Sequence, residues 1–170
     1  MIDRPSLTLG LETPMPQNIL ILGASYGSLL GTKLAMAGHN VKLVCTAPTA
    51  RLIDREGTRV RFPVRGRASL LEVASKTLPG KVSACVPRNV EPEAYDLIVL
   101  AMQECQYSAV DVAPLMQRVA ASRRPCLAIM NMPPLAYLHR LERLSPSGLQ
   151  GCYSNPHLWE QFDPERITLA

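Results

Sequence analysis

The sequence has 170 residues, of which 47% are hydrophobic and 19% charged, and its formal net charge is +4. This length predicts one domain with its own core, and the composition excludes a disordered or collagen-like chain. The most apolar stretch, residues 18–31, is too short to cross a bilayer, so we expect no membrane segment.

The positive charge is concentrated in one segment. Residues 51–67 hold six arginines against two acids, a surplus equal to that of the whole chain. A nucleic-acid surface would spread such charge or interleave it with aromatic residues, and the segment has only Phe62. A solvated hairpin face and a contribution to binding a cofactor phosphate both stay open, and we expect no nucleic-acid partner.

The five cysteines are widely spaced and match no zinc-binding pattern. Several lie within apolar runs, where a thiol behaves as a small hydrophobic group. We therefore expect reduced cysteines, no bound metal and a cytoplasmic location.

The first segments predict a flexible leader and then a strand–helix–strand unit. Residues 1–17 carry three prolines and no hydrophobic periodicity, so one domain should span residues 18–170. The apolar run 18–23 indicates a buried parallel strand, residues 27–37 a helix and residues 41–45 a second strand. This order and spacing predict a βαβ unit with a right-handed crossover.

The middle of the chain predicts a helix, a hairpin and two strands. Pro48 suits the first turn of a short helix. Residues 58–71 alternate as a hairpin with its turn at Gly66. Residues 82–86 indicate a short strand, and residues 96–101 indicate a fully buried one.

The last third continues the alternation of helices and strands. Residues 106–120 have helical spacing in spite of Pro114, which marks a kink or a helix start. Residues 125–131 indicate a strand, and a helix with leucines along one face follows it. Strand-like pieces lie around Cys152 and Ile167. The pattern predicts an α/β fold, a Rossmann-like doubly wound and mostly parallel sheet with helices on both faces.

A glycine-rich turn lies between the first strand and the first helix. It reads Gly23-Ala24-Ser25-Tyr26-Gly27-Ser28-Leu29-Leu30-Gly31, one residue shorter than the usual dinucleotide-binding spacing. Such a turn needs glycine where the strand breaks and where backbone approaches a diphosphate, and the helix start supplies unpaired N–H groups. Residues 23–28 are therefore predicted to bind a cofactor, with hydroxyl donors from two serines. Close packing of helix on sheet at the later glycines is the alternative.

The end of the second strand predicts the choice of cofactor. An acid there would bind the ribose 2′-hydroxyl of NAD, but the sequence reads Cys45-Thr46-Ala47. Thr46 and Thr49 offer hydroxyl groups, and Arg51 offers a guanidinium suited to a phosphate. This favours NADP over NAD, and it predicts that Arg51→Ala weakens NADPH more than NADH. A solvated helix position is the alternative for Arg51.

On these features the sequence resembles the N-terminal domain of the ketopantoate reductase (2-dehydropantoate 2-reductase) family. The resemblance covers residues 18–170. It rests on residues 18–44 with their Gly38-His39 helix end, on residues 96–106 and on the strand that ends at Asn131. It implies an NADP-dependent oxidoreductase that reduces a 2-oxo acid or a related small carbonyl compound.

The resemblance also implies site residues beyond the glycine turn. In the family, the fourth main strand runs into a lysine and, three residues later, a glutamine near the nicotinamide. Here Met102 and Gln103 end that strand, Gln103 replaces the lysine and Gln106 matches the glutamine. Asn131 matches the family's substrate-binding asparagine, although the glycines beside it are replaced. We therefore expect Asn131 in the catalytic site and the other three residues at the cofactor.

The family's catalytic lysine lies in a helical C-terminal domain that this sequence does not reach, so the chain alone would lack the proton donor. The leading hypothesis is the cofactor-binding domain of an NADP-dependent reductase, with a small-molecule 2-oxo acid as substrate. A non-catalytic nucleotide-binding or regulatory module and a domain of an opine- or hydroxyacid-type dehydrogenase are the alternatives. A homodimer stays open.

Overall fold

A computed structural model describes residues 15–141, 144 and 146–170, so most of the predicted leader lies outside the described residues. The strands are β1 (Asn18–Leu22), β2 (Asn40–Val44), β3 (Arg59–Phe62), β4 (Leu71–Ala74), β5 (Val82–Cys85), β6 (Leu97–Leu100), β7 (Cys126–Ala128) and β8 (Ile167–Leu169). The helices are α1 (Ser25–Met36), α2 (Ala47–Glu56), α3 (Ala113–Ser122), α4 (Leu135–Leu138) and α5 (Pro146–Leu149). In the described ranges, no helix has the length and apolar character that a membrane crossing requires.

Six strands form one parallel sheet in the order β5-β2-β1-β6-β7-β8, while β3 and β4 pair as a separate antiparallel hairpin. The central strand β1 pairs with β2 on one side and with β6 on the other, so the sheet grows first in one direction and then in the other. This is the strand order of doubly wound dinucleotide-binding folds, and it confirms the predicted fold class. In such sheets a ligand binds beyond the carboxyl ends of the strands, where the direction reverses.

Strand β1 is buried on both faces, as its unbroken apolar run predicts. Leu20 and Leu22 belong to the core that α3 covers, and Ile19 and Ile21 belong to the core that α1 covers. Because side chains alternate along a strand, an apolar run places hydrophobic groups on both sides of the sheet. The helices therefore pack on both faces.

Two predicted elements differ from the structure. The helix predicted over residues 106–120 is a 3₁₀ turn (Glu104–Ser108) followed by α3, with Pro114 in the first turn of α3. A proline fits there because the N–H groups of a first turn have no helical partner. The strand-like piece predicted around Cys152 is wrong, since Gln150–Cys152 form a 3₁₀ turn.

Other elements are shifted or shortened. The predicted hairpin forms, but its second strand begins at Leu71 instead of ending there. Gly66, with φ of +84°, lies in the connection, as the turn prediction requires. The helix predicted near Pro134 is the single turn α4, and the exposed side chains of Leu141 and Leu144 lie beyond it.

Candidate functional site

A cavity of about 830 Å³ opens at the carboxyl edge of the parallel sheet. Its walls come from the segments that follow β1, β2, β5 and β6, together with one face of α2 and the start of β3. The strands β1 and β6 flank the point at which the sheet changes direction, the usual ligand site of this fold. The volume lies within the range of small-molecule and cofactor pockets.

The turn after β1 requires glycine at its first position. Gly23 has φ of +109°, which favours glycine, and its N–H donates to the Val44 carbonyl at 2.9 Å. A Cβ atom on Gly23 would lie 2.7 Å from the Ala101 carbonyl oxygen and 2.7 Å from Cγ of Met102. The backbone of the turn thus lies in close contact with the end of β6, and a hydrogen bond joins it to the end of β2.

Helix α1 begins directly after this turn and has no side-chain cap. Ala24, which precedes the helix, has no polar side chain, and the first turn has no acidic residue. The first helical bond runs from the Ser28 N–H to the Ala24 carbonyl at 3.0 Å, so the amides of residues 24–27 precede it. Ala24, Ser25 and Tyr26 line the cavity, which places this positive helix end at its wall. The arrangement suits a phosphate group.

Most of the residues predicted for the site line the cavity. They are Gly23, Ala24, Ser25, Tyr26, Ser28, Thr46, Met102, Gln103 and Gln106. Gly27 does not, because it lies on the buried face of α1, where a Cβ atom would be 2.7 Å from Cγ2 of Ile21. Gly27 therefore allows close packing of the helix on the sheet, the alternative that the sequence left open.

Arg51 and Asn131 are exposed and are not among the residues that line the cavity. Thr49, Leu52 and Ile53 of α2 do line it. At about 100° per residue, Arg51 projects from the helix about 150° away from the centre of that face. Asn131 follows β7, whereas the cavity walls come from other segments.

The hydroxyl groups near the turn differ in whether they are available to bind a ligand. The Ser28 hydroxyl donates to the Ala24 carbonyl, so its proton is not free for a ligand. The hydroxyl oxygens of Thr46 and Thr49 lie 3.0 Å apart. Ser25 is exposed at the helix start. The helix amides and the two threonines are therefore better placed for a ligand than Ser28.

Gln103 and Gln106 hold one another across the 3₁₀ turn that follows β6. Oε1 of Gln106 accepts a hydrogen bond from the Gln103 N–H at 2.9 Å, and the Gln103 side chain accepts one from the Gln106 N–H. This reciprocal arrangement is a capping box. It fixes both residues in the cavity wall, where the family resemblance implied a lysine at the first position.

The cavity has one charged residue of each sign among the described residues that line it, Arg59 and Asp111. Sequence reasoning placed Arg59 only within the arginine-rich segment, and it missed Asp111. Strand alternation would have put Arg59 and Arg61 on one face of the hairpin. It could not have shown that this hairpin packs beside α1 and brings Arg59 to the cavity.

Cys45, at the end of β2, is a neutral thiol in the cavity wall. Burial raises its pKa to about 11, and the neighbouring Cys85 and Asp54 add to the increase. The group is therefore protonated at neutral pH and adds no negative charge to this part of the cavity.

We expect Cys45 to react with iodoacetamide much more slowly than the exposed Cys105 at about pH 8, because Cys45 is partly buried and little of its thiol is ionised. The Cys45 rate should rise steadily up to about pH 11. A dinucleotide in the cavity should slow the reaction of Cys45 and leave Cys105 unchanged. Peptide mass spectrometry measures both rates, and equal rates at the lower pH would contradict the prediction.

The strand order, the glycine turn and the uncapped helix start at an open cavity define the class of Rossmann-like dinucleotide-binding domains. A family model described as ketopantoate reductase PanE/ApbA matches residues 19–132. The chain belongs to the ketopantoate reductase family, a family of oxidoreductases. No curated protein sequence matches it significantly.

Three solved structures are similar to parts of the chain. A protein assigned as 2-dehydropantoate 2-reductase from Bacillus subtilis is 20% identical, with 75% of this chain and 38% of that chain covered and a TM-score of 0.46. A protein assigned as ketopantoate reductase from Ralstonia solanacearum MolK2 is 21% identical, with 91% and 44% covered and a TM-score of 0.54. A diketoreductase is 16% identical, with 88% and 57% covered and a TM-score of 0.41. The Ralstonia protein supports the fold, and the chain spans less than half the length of the first two.

Proposed function

We propose that this chain is the cofactor-binding domain of an NADP-dependent reductase that acts on a 2-oxo acid or a related small carbonyl compound. The observation that carries the proposal is the uncapped start of α1 at the cavity, beside a turn in which Gly23 leaves no room for a Cβ atom. A diphosphate is the ligand that this combination accommodates best. Membership of the ketopantoate reductase family supports the reductase chemistry.

The cavity residues fit a nicotinamide dinucleotide. The amides of residues 24–26 would hold the diphosphate oxygens, and Thr46 and Thr49 would face the ribose that follows. No acid stands at this strand end, which favours NADP over NAD. Gln103 and Gln106 would border the nicotinamide side. When bound, the nicotinamide supplies a hydride to the carbonyl carbon.

The described cavity wall does not contain the lysine that the family resemblance implies as the proton donor for the reduced carbonyl oxygen. No lysine or histidine of the described chain lines the cavity, and the pKa of about 11 makes Cys45 a weak acid. We therefore propose that a further domain or a partner supplies the general acid, as the catalytic lysine does in the family resemblance. Asn131 stays our proposed substrate contact, outside the cavity wall.

Titration of the purified protein with NADPH and NADH, followed by calorimetry, tests the cofactor assignment. We expect NADPH to bind about tenfold more tightly than NADH, the difference that one charge-assisted hydrogen bond produces. Absorbance of NADPH with a panel of 2-oxo acids then tests turnover. Because the general acid is proposed to lie outside this chain, binding without turnover fits both a lone cofactor-binding domain and a non-catalytic nucleotide-binding module, to which Gln103 in place of the family lysine points. Turnover by this chain alone would contradict the proposed external general acid. Failure to bind either nucleotide would overturn the proposal.

A further inference from the structure

One basic residue, Arg59, lies in the cavity wall and offers a means of choosing between the two nicotinamide cofactors. We propose that Arg59, and not Arg51, binds the 2′-phosphate of NADP. This inference rests on the proposed function and assigns its specificity to one side chain. Arg59 lies at the start of β3 and lines the cavity, whereas Arg51 projects from the opposite side of α2.

The backbone that carries Arg59 is held in place by a buried polar network. The preceding residue, Thr58, is 6% exposed, and its N–H donates to the Ser75 hydroxyl at 2.8 Å. Its carbonyl accepts a hydrogen bond from the Ser75 N–H at 2.8 Å, and its hydroxyl lies 2.8 Å from that of the fully buried Thr32 of α1. The start of β3 is thus joined to the helix whose first turn faces the diphosphate position. Arg59 therefore leaves the backbone at a defined point, next to a contact with the middle of α1.

The guanidinium of Arg59 keeps donors available for a ligand. Its side chain is 73% exposed, and its Nε lies 3.7 Å from Oε1 of Glu72. The other carboxylate oxygen of Glu72 lies 2.5 Å from Nε of Arg61, and this closer pair lowers the pKa of Glu72. Glu72 is therefore engaged first by Arg61 and only loosely by Arg59. A guanidinium with free N–H groups can bind a phosphate through two parallel hydrogen bonds.

Arg61 provides a matched control for Arg59. The two arginines lie on the same face of β3 and share Glu72, but Arg61 is two residues further along the strand, about 7 Å away. Arg61 is not among the residues that line the cavity. Its removal takes the same charge from the same hairpin, and a second substitution, Glu72→Gln, prevents the carboxylate that is freed from pairing with Arg59 instead.

The test compares the dissociation constants of NADPH and NADH for the wild type and for Arg59→Ala, Arg51→Ala and the double variant Arg61→Ala/Glu72→Gln. We expect Arg59→Ala to weaken NADPH about tenfold or more and to change NADH by less than about twofold. Arg51→Ala and the double variant Arg61→Ala/Glu72→Gln should leave the ratio of the two constants near that of the wild type. Arg59→Lys should recover part of the preference, since it restores the charge but not the planar fork.

The possible outcomes separate this inference from the proposed function. Equal losses of both nucleotides in Arg59→Ala, or a loss of preference in Arg51→Ala alone, would overturn the assignment to Arg59 and leave dinucleotide binding intact. A wild type that binds both nucleotides equally would also overturn it. A wild type that binds neither nucleotide would overturn the proposed function as well. Thermal unfolding of each variant should match the wild type, because these arginines are exposed.

Discussion

Gly23→Ala should abolish dinucleotide binding and lower the free energy of unfolding by about 2–5 kcal/mol. The residue has φ of +109°, which a side chain strains by about 1–3 kcal/mol. The added Cβ would also lie 2.7 Å from the Ala101 carbonyl oxygen. Relief of that contact requires the turn after β1 to move away from the end of β6. The amides of the first turn of α1 would then no longer meet the diphosphate.

Gly38→Ala separates backbone strain from crowding. Gly38 follows α1 and has φ of +90°, but a Cβ atom there would meet nothing within 4 Å. We expect Gly38→Ala to cost about 1–2 kcal/mol of unfolding free energy and to leave NADPH binding unchanged. Urea denaturation and calorimetric titration of both variants provide the comparison. Wild-type affinity in Gly23→Ala would refute the proposed role of the turn.

The sheet and the glycine turn are predictable because their signals are contiguous in sequence. An apolar run such as residues 18–22 needs cover on both faces, and only a layered α/β arrangement provides it. The turn follows that run immediately, so its position at the carboxyl edge of the sheet comes from the strand alone. Gly27 shows the limit of this reasoning, since spacing does not tell a packing glycine from one that faces a ligand.

The charged part of the cavity depends on contacts between residues that are distant in sequence. Thr32 and Thr58 are 26 residues apart, and their hydrogen bond brings the hairpin to α1. This contact places Arg59 in the cavity wall and leaves the other five arginines of residues 51–67 outside it. Nothing in the local sequence pattern distinguishes Arg59 from those five. The sequence therefore favoured Arg51, which is nearest to the second strand along the chain.

The helix predicted over residues 106–120 was misplaced for a related reason. Its periodicity is real from Ala113 onward, but the reciprocal bonds of Gln103 and Gln106 close a tighter turn first. The two glutamines have the spacing of a capping box, but the first position lacks the serine or threonine of the usual sequence signature. The tight turn after β6 could not be predicted from the sequence, because it also depends on the burial of Tyr107, whose side chain is fully inaccessible.

Tyr107 connects the C-terminal segment to the cavity. Its ring packs edge-on against Trp159, with centroids 5.5 Å apart, and its hydroxyl oxygen accepts a hydrogen bond from the Met102 N–H at 3.0 Å. Burial raises the pKa of Tyr107, so the hydroxyl stays protonated. Trp159 is 1% exposed and also contacts Phe162. The indole therefore supports the backbone of the cavity wall through one intervening ring.

Trp159→Ala should lower the free energy of unfolding by about 3–5 kcal/mol, the usual cost of deleting a buried indole. NADPH affinity should fall with it, because Tyr107 loses the surface that holds its hydroxyl under Met102. Urea denaturation gives the stability, and calorimetry gives the affinity. Since a loss of this size is a large part of the stability of a typical domain, the variant can fail to fold, and a milder pair of substitutions then decides the matter.

Tyr107→Phe keeps the ring against Trp159 but removes the acceptor of the Met102 N–H, at a cost of about 1–3 kcal/mol. Trp159→Phe keeps an aromatic group and the Tyr107 hydroxyl, while it leaves a void beside Phe162. If the hydrogen bond to Met102 shapes the cavity wall, Tyr107→Phe lowers the affinity for NADPH more than Trp159→Phe does. This order should hold even if Trp159→Phe is the less stable protein. If affinity instead follows stability across the two variants, the C-terminal segment stabilises the fold without shaping the cavity.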